Sequence, residues 1–312
     1  MGGLASALVL AKKGFKEINV YQNASNLGFV GAGIQLAPNM GCKKMPTIKF
    51  YFGCTVTEIG SFQPRVAFTI QKRDGSTEHI GTDVLLAADG VKSITRSALL
   101  AQIYYVSEVE DTSHAAYRGS VRSDIGLVIS IQSRTIYNMS SIQPDANFAS
   151  APSMTYTTKG SKDAMVIVFS DFFPDGGVCK WKLRVQKPLP TWVHGAVALV
   201  GDACYPTLPH LNQGASQAIE DAAVPAEVLS RSPTSDLASI NKSLRVYELV
   251  RKERASLLVQ WAADDKKFAE ANAGGKTVPY KWASPDVQEY IYSHDCMKEA
   301  SENCFSLHDG LS

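Results

Sequence analysis

Paired cysteine motifs are missing from this sequence. Its six cysteines form no CxxC spacing, so the sequence predicts neither a metal site nor a disulfide framework. Unpaired cysteines of this kind are typical of reduced thiols in a cytoplasmic protein. An excess of one charge is also missing, because 31 Lys and Arg residues face 30 Asp and Glu residues. We therefore expect no nucleic-acid partner and no attraction to an anionic membrane surface.

Long apolar runs are absent as well. Residues 4–11 are apolar but are followed by Lys12 and Lys13, and residues 84–88 are followed by Asp89. Neither run is long enough for a transmembrane helix. The lysines follow the first run, whereas a secretory signal places its basic residues before the apolar stretch. The prediction is a cytoplasmic protein without stable membrane insertion.

The chain does have the length and apolar content of an enzyme with two domains, with 312 residues of which 45% are hydrophobic. Its first part has an α/β pattern. A helix that begins on glycine and ends near Gly14 is followed by a strand at residues 17–22, which is typical of the second half of a βαβ unit. A β-rich segment follows, with a hairpin turn at Asp74 and Gly75 and with strands predicted at residues 48–52, 55–59, 65–71 and 83–88.

The middle of the chain has a different pattern, in which short strands alternate with polar loops. These strands are predicted at residues 116–121, 126–131, 135–139, 164–169 and 179–185. We expect them to form a separate antiparallel sheet. Helical patterns return at residues 214–229 and in a long amphipathic run at residues 243–269.

Two glycine-bearing segments in the first half are candidates for binding chemistry. Gly2 and Gly3 begin a helix, where missing side chains let a phosphate approach the backbone N–H groups. An ordinary helix start is the alternative. In residues 85–99 (LLAADGVKSITRSAL), a strand ends at Asp89 and Gly90 before a helix that is capped near Ser93. The alternative there is a strand–turn–helix with a solvated aspartate.

A third segment, residues 197–223, is the most specific. An apolar strand places Asp202 at its carboxyl end, two prolines follow, and Gln213 and Gly214 begin a helix. A carboxylate beside a helix N-terminus suits a polyhydroxyl chain attached to an electron-accepting ring. The alternative is a βα crossover without a ligand.

Together these segments resemble the class A FAD-dependent aromatic monooxygenases of the salicylate hydroxylase-like group, especially the fungal members. The resemblance extends from residue 1 to about residue 270. Within that range, residues 27–40, 188–224 and 247–256 are further matching segments. It implies an α/β fold with a Rossmann-like FAD-binding domain, whose first βαβ unit is incomplete, at residues 1–103 and 191–275. It further implies an inserted antiparallel-sheet substrate domain at residues 104–190, followed by C-terminal helices and a tail at residues 276–312.

The resemblance also implies roles for individual residues. Asp202 is similar to the aspartate that binds the FAD ribityl hydroxyls, and the pair Asp89 and Gly90 is similar to one that serves both FAD and the nicotinamide donor. Arg118 and Tyr117, the candidate catalytic residues, match a substrate-domain strand, where an arginine can hold a phenolate or carboxylate. A surface arginine is the alternative for Arg118. The implied cofactor-binding residues are Gly2, Gly3, Gln22, Gly31, Gly33, Asp89, Gly90, Arg96, Asp202, Pro206, Pro209, Gly214 and Ala215.

The sequence departs from the family pattern at several positions. Gln22 stands where an acid normally binds the adenosine ribose, and it supplies no negative charge. Tyr205 replaces the usual histidine, and the chain is shorter than the family between Asn39 and Ile48. The first strand of the fingerprint and its first glycines are also absent. Each departure removes a possible contact, so we expect weakened FAD binding.

The implied function is an FAD-dependent monooxygenase that uses NADH or NADPH and O₂, through a flavin C4a-hydroperoxide, on a small aromatic or phenolic substrate. No protein metal is expected. A truncated or inactive relative that keeps the scaffold with weak or no FAD binding is one alternative, and a flavin oxidase that needs no nicotinamide donor is another.

Overall fold

The chain divides into two compact units. In the computed structural model the first comprises Met1–Asn26, Met40–Glu108 and Gln186–Ser312, and the second comprises Leu27–Asn39 and Val109–Val185. The structure describes residues 1–24, 45–122, 130–131, 136–144, 157–159, 176–273 and 284–302. Gly31 and Gly33, and the strand predicted at residues 164–169, lie outside the described residues. In the part of the chain that the structure describes, no helix is both long and apolar enough to span a bilayer.

The first unit begins with a helix and two parallel strands. Helix α1 (Gly2–Lys12) is followed by strand β1 (Ile18–Gln22), which pairs in parallel with β2 (Ile48–Phe52). Gly14 has a φ of +95° at the end of the helix, a conformation that glycine adopts without strain. Ala7, Leu8, Ile18 and Ile48 are buried together, because the apolar side of the helix covers the strand pair.

A three-stranded antiparallel sheet follows. It contains β3 (Cys54–Ser61), β4 (Val66–Lys72) and β5 (Thr77–Thr82). Val66, Phe68 and Ile70 alternate along β4 and are buried, as the period of two in a strand requires. The predicted hairpin turn at Asp74 and Gly75 is confirmed.

A second three-stranded sheet in the same unit has the order β12–β13–β6. Strand β6 (Leu85–Ala87) pairs in parallel with β13 (Val197–Leu199), and β12 (Val193–His194) pairs antiparallel with β13. All three residues of β13 are buried, as expected of a central strand that is covered on both faces. The described residues of this unit also include α2 (Ile94–Gln102), α3 (Gly214–Ser230), α4 (Leu237–Ala273) and α5 (Pro285–Tyr292), and residues 296–302 are helical as well.

Helix α4 begins six residues before the predicted start at residue 243, so that prediction was wrong. The prediction followed the amphipathic pattern and missed the capping residue. Asp236 accepts a hydrogen bond from the Ser239 N–H at 2.9 Å, and its carbonyl accepts one from Ile240 at 3.0 Å. These bonds satisfy N–H groups of the first turn.

The described residues of the second unit form a five-stranded sheet of order β10–β11–β7–β9–β8. Its strands are β7 (Val109–Arg122), β8 (Ser130–Ile131), β9 (Ile136–Pro144), β10 (Thr157–Lys159) and β11 (Gly176–Gln186). The pairs β7–β9, β8–β9 and β10–β11 are antiparallel. Strands β7 and β11 extend beyond their predicted ends, because cross-strand pairing adds residues whose sequence alone has weak strand character.

Candidate functional site

The two predicted aspartate–glycine turns lie side by side. Strands β6 and β13 run parallel in the register Leu85↔Val197 to Ala87↔Leu199. The N–H of Val200 donates to the carbonyl of Ala87 at 2.9 Å, so the pairing continues to the last residue of β6. Because both strands end at the same edge, the turn after β6 and the turn after β13 meet there. In open α/β sheets this carboxyl edge is where ligands bind.

Asp89 lies at the N-terminus of α2. Its Oδ1 accepts a hydrogen bond from the Ser93 hydroxyl at 2.6 Å, and its Oδ2 accepts one from the Thr95 N–H at 3.1 Å. Ser93 is the predicted cap, and its Oγ accepts from the Arg96 N–H at 2.8 Å. Gly90 has a φ of +77° and open space where a side chain would stand. Asp89 is exposed, but it also holds the first turn of α2.

Arg96 joins the two turns. Only 6% of the residue is exposed, and its guanidinium donates to the carbonyl of Val91 at 2.6 Å and to that of Ala203 at 3.1 Å. A longer bond of 3.4 Å reaches the carbonyl of Asp202. A buried guanidinium needs such acceptors, because losing hydration without them is unfavourable. These hydrogen bonds connect Arg96 to backbone carbonyls in the turn after β6 and in the turn after β13.

Asp202 is the exposed residue of the second turn. Gly201 to Ala203 form a short 3₁₀ turn, and within it only Asp202 is exposed. Among the described residues, none donates a side-chain hydrogen bond to its carboxylate. The pKa of Asp202 is raised, chiefly because the surrounding protein displaces water, while the amino terminus and Arg96 act in the opposite direction. Because Asp202 is exposed and has no side-chain donor among the described residues, its carboxyl oxygens are accessible to hydroxyl groups of a ligand.

The first glycine segment reaches the same edge. A Cβ atom on Gly2 would lie 2.9 Å from Val200 Cγ1, and one on Gly3 would lie 3.4 Å from Ala88 Cβ. The glycines therefore let α1 approach the ends of both strands closely, which is one of the roles of glycine in dinucleotide-binding turns. The N-cap residue Met1 makes no capping hydrogen bond through its side chain. The N–H groups of Gly2 and Gly3 lie in the first turn, at the positive end of the helix dipole, which favours an anion.

The loop from Tyr205 to Gly214 leads into α3. Pro206 is buried, and Pro209 begins a short 3₁₀ turn that ends at Leu211. Gly214 begins α3 and Ala215 follows it; a Cβ on Gly214 would lie 3.0 Å from Thr207 Cγ2. The N-cap residue Gln213 makes no capping hydrogen bond through its side chain, and the first turn of α3 holds no acid. This second helix start also favours negative charge.

A buried ionic network behind the loop was missed by the sequence analysis. Asp221 on α3 and Arg251 on α4 are both 0% exposed, and Asp221 Oδ1 accepts from Arg251 Nε at 2.9 Å. The signal that reveals Asp221 in the sequence is its place among Ala218, Ala222 and Val224 on the apolar side of α3. A carboxylate on such a face requires a buried partner.

The other predicted site residues belong to other strands. Gln22 is the exposed last residue of β1. Tyr117 and Arg118 belong to β7 of the second unit, where the backbone pairs them with Ser141 and Ser140 of β9. Their side chains are outside what the structure describes, as are Gly31 and Gly33.

Comparison with known proteins finds FAD-dependent monooxygenases among the proteins similar to this chain. The chain is 26% identical over 278 residues to the FAD-dependent monooxygenase OpS4 of Beauveria bassiana, which covers 72% of this chain and 63% of that protein. It is 24% identical over 371 residues to 3-hydroxybenzoate 6-hydroxylase 1 of Aquipseudomonas alcaligenes, with coverage of 88% and 89%. The chain thus spans less than two thirds of the length of OpS4. No family model matches the sequence.

Solved structures share the fold. The crystal structure of CtdE in complex with FAD has a TM-score of 0.75 at 18% identity and covers 99% of this chain and 96% of that one. This chain has the α/β fold of the flavoprotein monooxygenases. A salicylate hydroxylase substrate complex has a TM-score of 0.64 at 22% identity, with coverage of 96% and 95%. The predicted resemblance to salicylate hydroxylase-like flavoprotein monooxygenases is confirmed.

The described residues fit the cofactor of the flavoprotein monooxygenases. FAD combines a pyrophosphate, a polyhydroxyl chain and a ring that becomes anionic on reduction. The strand edge offers the starts of α1 and α3, whose N-cap residues make no side-chain capping bond, and near them an exposed carboxylate without a side-chain hydrogen-bond donor among the described residues. Helix N-termini favour the two anionic parts, and a carboxylate accepts hydrogen bonds from hydroxyl groups.

Proposed function

We propose that this chain is an FAD-dependent monooxygenase that hydroxylates a small aromatic or phenolic substrate, with NADH or NADPH as reductant and O₂ as oxidant. The observation that carries the proposal is the meeting of the three glycine segments at the carboxyl ends of β6 and β13. The relatives include a 3-hydroxybenzoate 6-hydroxylase and a 6-hydroxynicotinate 3-monooxygenase, whose names support an aromatic substrate.

The first unit is proposed to hold FAD. The N–H groups at the start of α1, next to Gly2 and Gly3, would bind its pyrophosphate. The Asp202 carboxylate would accept hydrogen bonds from the ribityl hydroxyls, and the start of α3 at Gly214 would face the part of the ring that gains negative charge. Bound FAD would supply the electron transfer from NAD(P)H and the activation of O₂.

The second unit is proposed to hold the substrate. Arg118 lies on β7, which stands between strands β11 and β9 in the sheet, and its backbone is paired with Ser140 of β9. A rigid strand is a suitable base for a group that orients a substrate. The planar guanidinium would hold a phenolate or carboxylate by paired hydrogen bonds, and the Tyr117 hydroxyl is proposed to assist as a donor.

The direct test begins with purified protein. We expect it to bind FAD, to oxidise NADH or NADPH faster when a substrate phenol is present, and to form the hydroxylated product in proportion. Oxygen consumption without a nicotinamide donor would instead indicate an oxidase. Protein that stays colourless after incubation with FAD would contradict the proposal and favour an inactive scaffold.

Replacing Asp202 tests the proposed FAD contact. Asp202→Ala removes charged hydrogen bonds to the ligand, each worth about 1.5–3 kcal/mol, so we expect the FAD Kd to rise about 10- to 100-fold. The matched control is Asp83→Ala, because Asp83 is an exposed aspartate of the same unit whose side chain is 80% accessible. Flavin fluorescence titration measures both. An equal Kd in the two variants would contradict the assignment.

Replacing Arg118 separates substrate binding from cofactor binding. Arg118→Ala is expected to lower kcat/KM for acidic phenols by about 100-fold, the loss of a paired charged contact, while the FAD content stays at the wild-type level. Arg118→Lys keeps the charge but loses the paired geometry and should lie between the two. Loss of flavin in both variants would show that Arg118 is not a substrate group.

A further inference from the structure

Asp221 contacts both ends of the turn that carries Asp202. Its Oδ2 accepts a hydrogen bond from the N–H of Gly201 at 3.1 Å and another from the hydroxyl of Tyr205. Within the turn itself, the Cys204 N–H donates to the Gly201 carbonyl at 2.8 Å. One buried carboxylate oxygen therefore bridges the first and last residues of the segment 201–205.

The carboxylate is itself held firmly. Arg251 donates to Asp221 at 2.9 Å, to Glu220 at 2.5 Å and to Gln217 at 2.6 Å. All three acceptors lie on α3, so the guanidinium of α4 locks the side of α3 that faces the turn. A buried ion pair of this kind adds little net stability compared with apolar packing, because removing both charges from water is unfavourable. We therefore expect the ion pair to affect mainly the position of the turn at residues 201–205, and not the overall stability.

Tyr205 is suited to be a permanent donor in this network. It is 8% exposed, and its ring packs against Trp192 with centroids 5.0 Å apart. Burial, followed by the negative charge of Asp221, raises the pKa of Tyr205 well above its ordinary value. The hydroxyl therefore keeps its proton at any pH at which the protein would work.

On the other side of the turn, Arg96 donates to the carbonyls of Asp202 and Ala203. The backbone of the segment 201–205 is thus held by α2 on one side and by α3 on the other. Asp202 alone in this segment is exposed. The contacts of Arg96 and Asp221 fix the backbone on either side of Asp202 and leave its carboxylate accessible.

We propose that Tyr205 and Asp221 are positioning residues that orient Asp202 toward FAD. The proposal rests on the proposed function, because it takes Asp202 as a cofactor contact. It also accounts for the tyrosine at a position where the resembling family has histidine, since the phenol hydroxyl reaches the buried carboxylate.

The test compares two buried tyrosines whose hydroxyls have different hydrogen-bond acceptors. Tyr205→Phe removes the bond to Asp221. Tyr247→Phe is the control, since Tyr247 is also buried and packs on Trp192, while its hydroxyl donates to the Leu199 carbonyl of β13 at 2.9 Å and approaches the Cys204 side chain rather than Asp221. We expect Tyr205→Phe to raise the FAD Kd about tenfold, which corresponds to about 1.4 kcal/mol, and Tyr247→Phe to change it less than twofold.

A double-mutant cycle tests whether Tyr205 affects FAD binding through Asp202. If Tyr205 acts through Asp202, Tyr205→Phe should change the FAD Kd less than twofold in an Asp202→Ala background. In the protein without FAD, amide hydrogen exchange of segment 201–205 should speed up in Tyr205→Phe and stay unchanged in Tyr247→Phe.

The outcomes separate this inference from the proposed function. Equal effects of the two tyrosine variants on FAD binding and on exchange, or fully additive effects in the cycle, would overturn the inference while FAD binding by the wild type stands. Wild-type protein that binds no FAD would overturn both.

Discussion

Gly195 lies in the turn between β12 and β13, where its backbone has a φ of +56°. A Cβ atom there would lie 2.3 Å from the carbonyl oxygen of Phe62. The close approach allows a hydrogen bond, in which the Phe62 carbonyl oxygen accepts from the Ala196 N–H at 3.2 Å. The Gly195 carbonyl in turn accepts one from Asn241 on α4 at 2.6 Å. A single glycine therefore joins the strand that leads to Asp202 to two other parts of the first unit.

We expect Gly195→Ala to lower the free energy of unfolding by about 2–4 kcal/mol, from the strain of a positive φ and from displacement of the Phe62 backbone. Gly75→Ala is the control, because Gly75 has a φ of +85° but open space around the added atom, and about 1 kcal/mol is expected there. Urea unfolding of the two variants measures the difference. Equal losses would show that the Phe62 backbone moves freely.

Helices α1 and α3 are held together by an ion pair as well as by close packing. Glu227 on α3 is buried, and its carboxylate pairs with Lys13 just after α1 and with Arg231 Nε at 2.5 Å. Burial alone would raise the pKa of Glu227, but the hydrogen bonds from Lys13 and Arg231 outweigh it and lower the pKa. The charged form is thus favoured by folding.

A lowered folded-state pKa adds stability above the ordinary glutamate value of 4.5, and this stability is lost as the pH falls through the lowered pKa. We expect Glu227→Gln to lower the free energy of unfolding by about 1–3 kcal/mol at neutral pH. The difference from wild type should shrink in acid, because the wild-type carboxylate then becomes protonated. Urea unfolding at pH 7 and at successively lower pH measures this trend, and a constant difference would contradict the ion-pair account.

Considered as a whole, the molecule separates its proposed tasks between two units. The described residues proposed to bind FAD all belong to the first unit, and Tyr117 and Arg118 belong to the second. A ligand that binds only the folded form stabilises it in proportion to its occupancy. Binding of FAD should therefore protect one unit more than the other.

At a free FAD concentration of 100 Kd we expect the free energy of unfolding of the first unit to rise by about 2.7 kcal/mol. Amide exchange should slow in residues 89–96 and 201–215, and stay unchanged in residues 136–144 of the second unit. Hydrogen-exchange mass spectrometry with and without FAD measures both. Uniform slowing along the chain would show that the cofactor is not confined to the first unit.

Short-range patterns in the sequence were sufficient to predict several strand bounds, helix caps and turns of this molecule. The bounds of β2, the Ser93 cap, the start of α3 at Gly214 and the three glycine segments were all predicted, because caps, turns and periodicity involve residues a few positions apart. Where a cap lay outside the periodic pattern, as Asp236 does before α4, the predicted boundary was wrong.

What only the tertiary structure decided are the contacts between distant residues. Arg96 meets a carbonyl 107 positions further along the chain, and Arg251 meets Asp221 across 30 positions. Tyr205 is a departure from a family pattern in the sequence, but in the folded chain it is the donor to a buried carboxylate. Such partners depend on how helices and strands pack, and neither composition nor local periodicity contains that information.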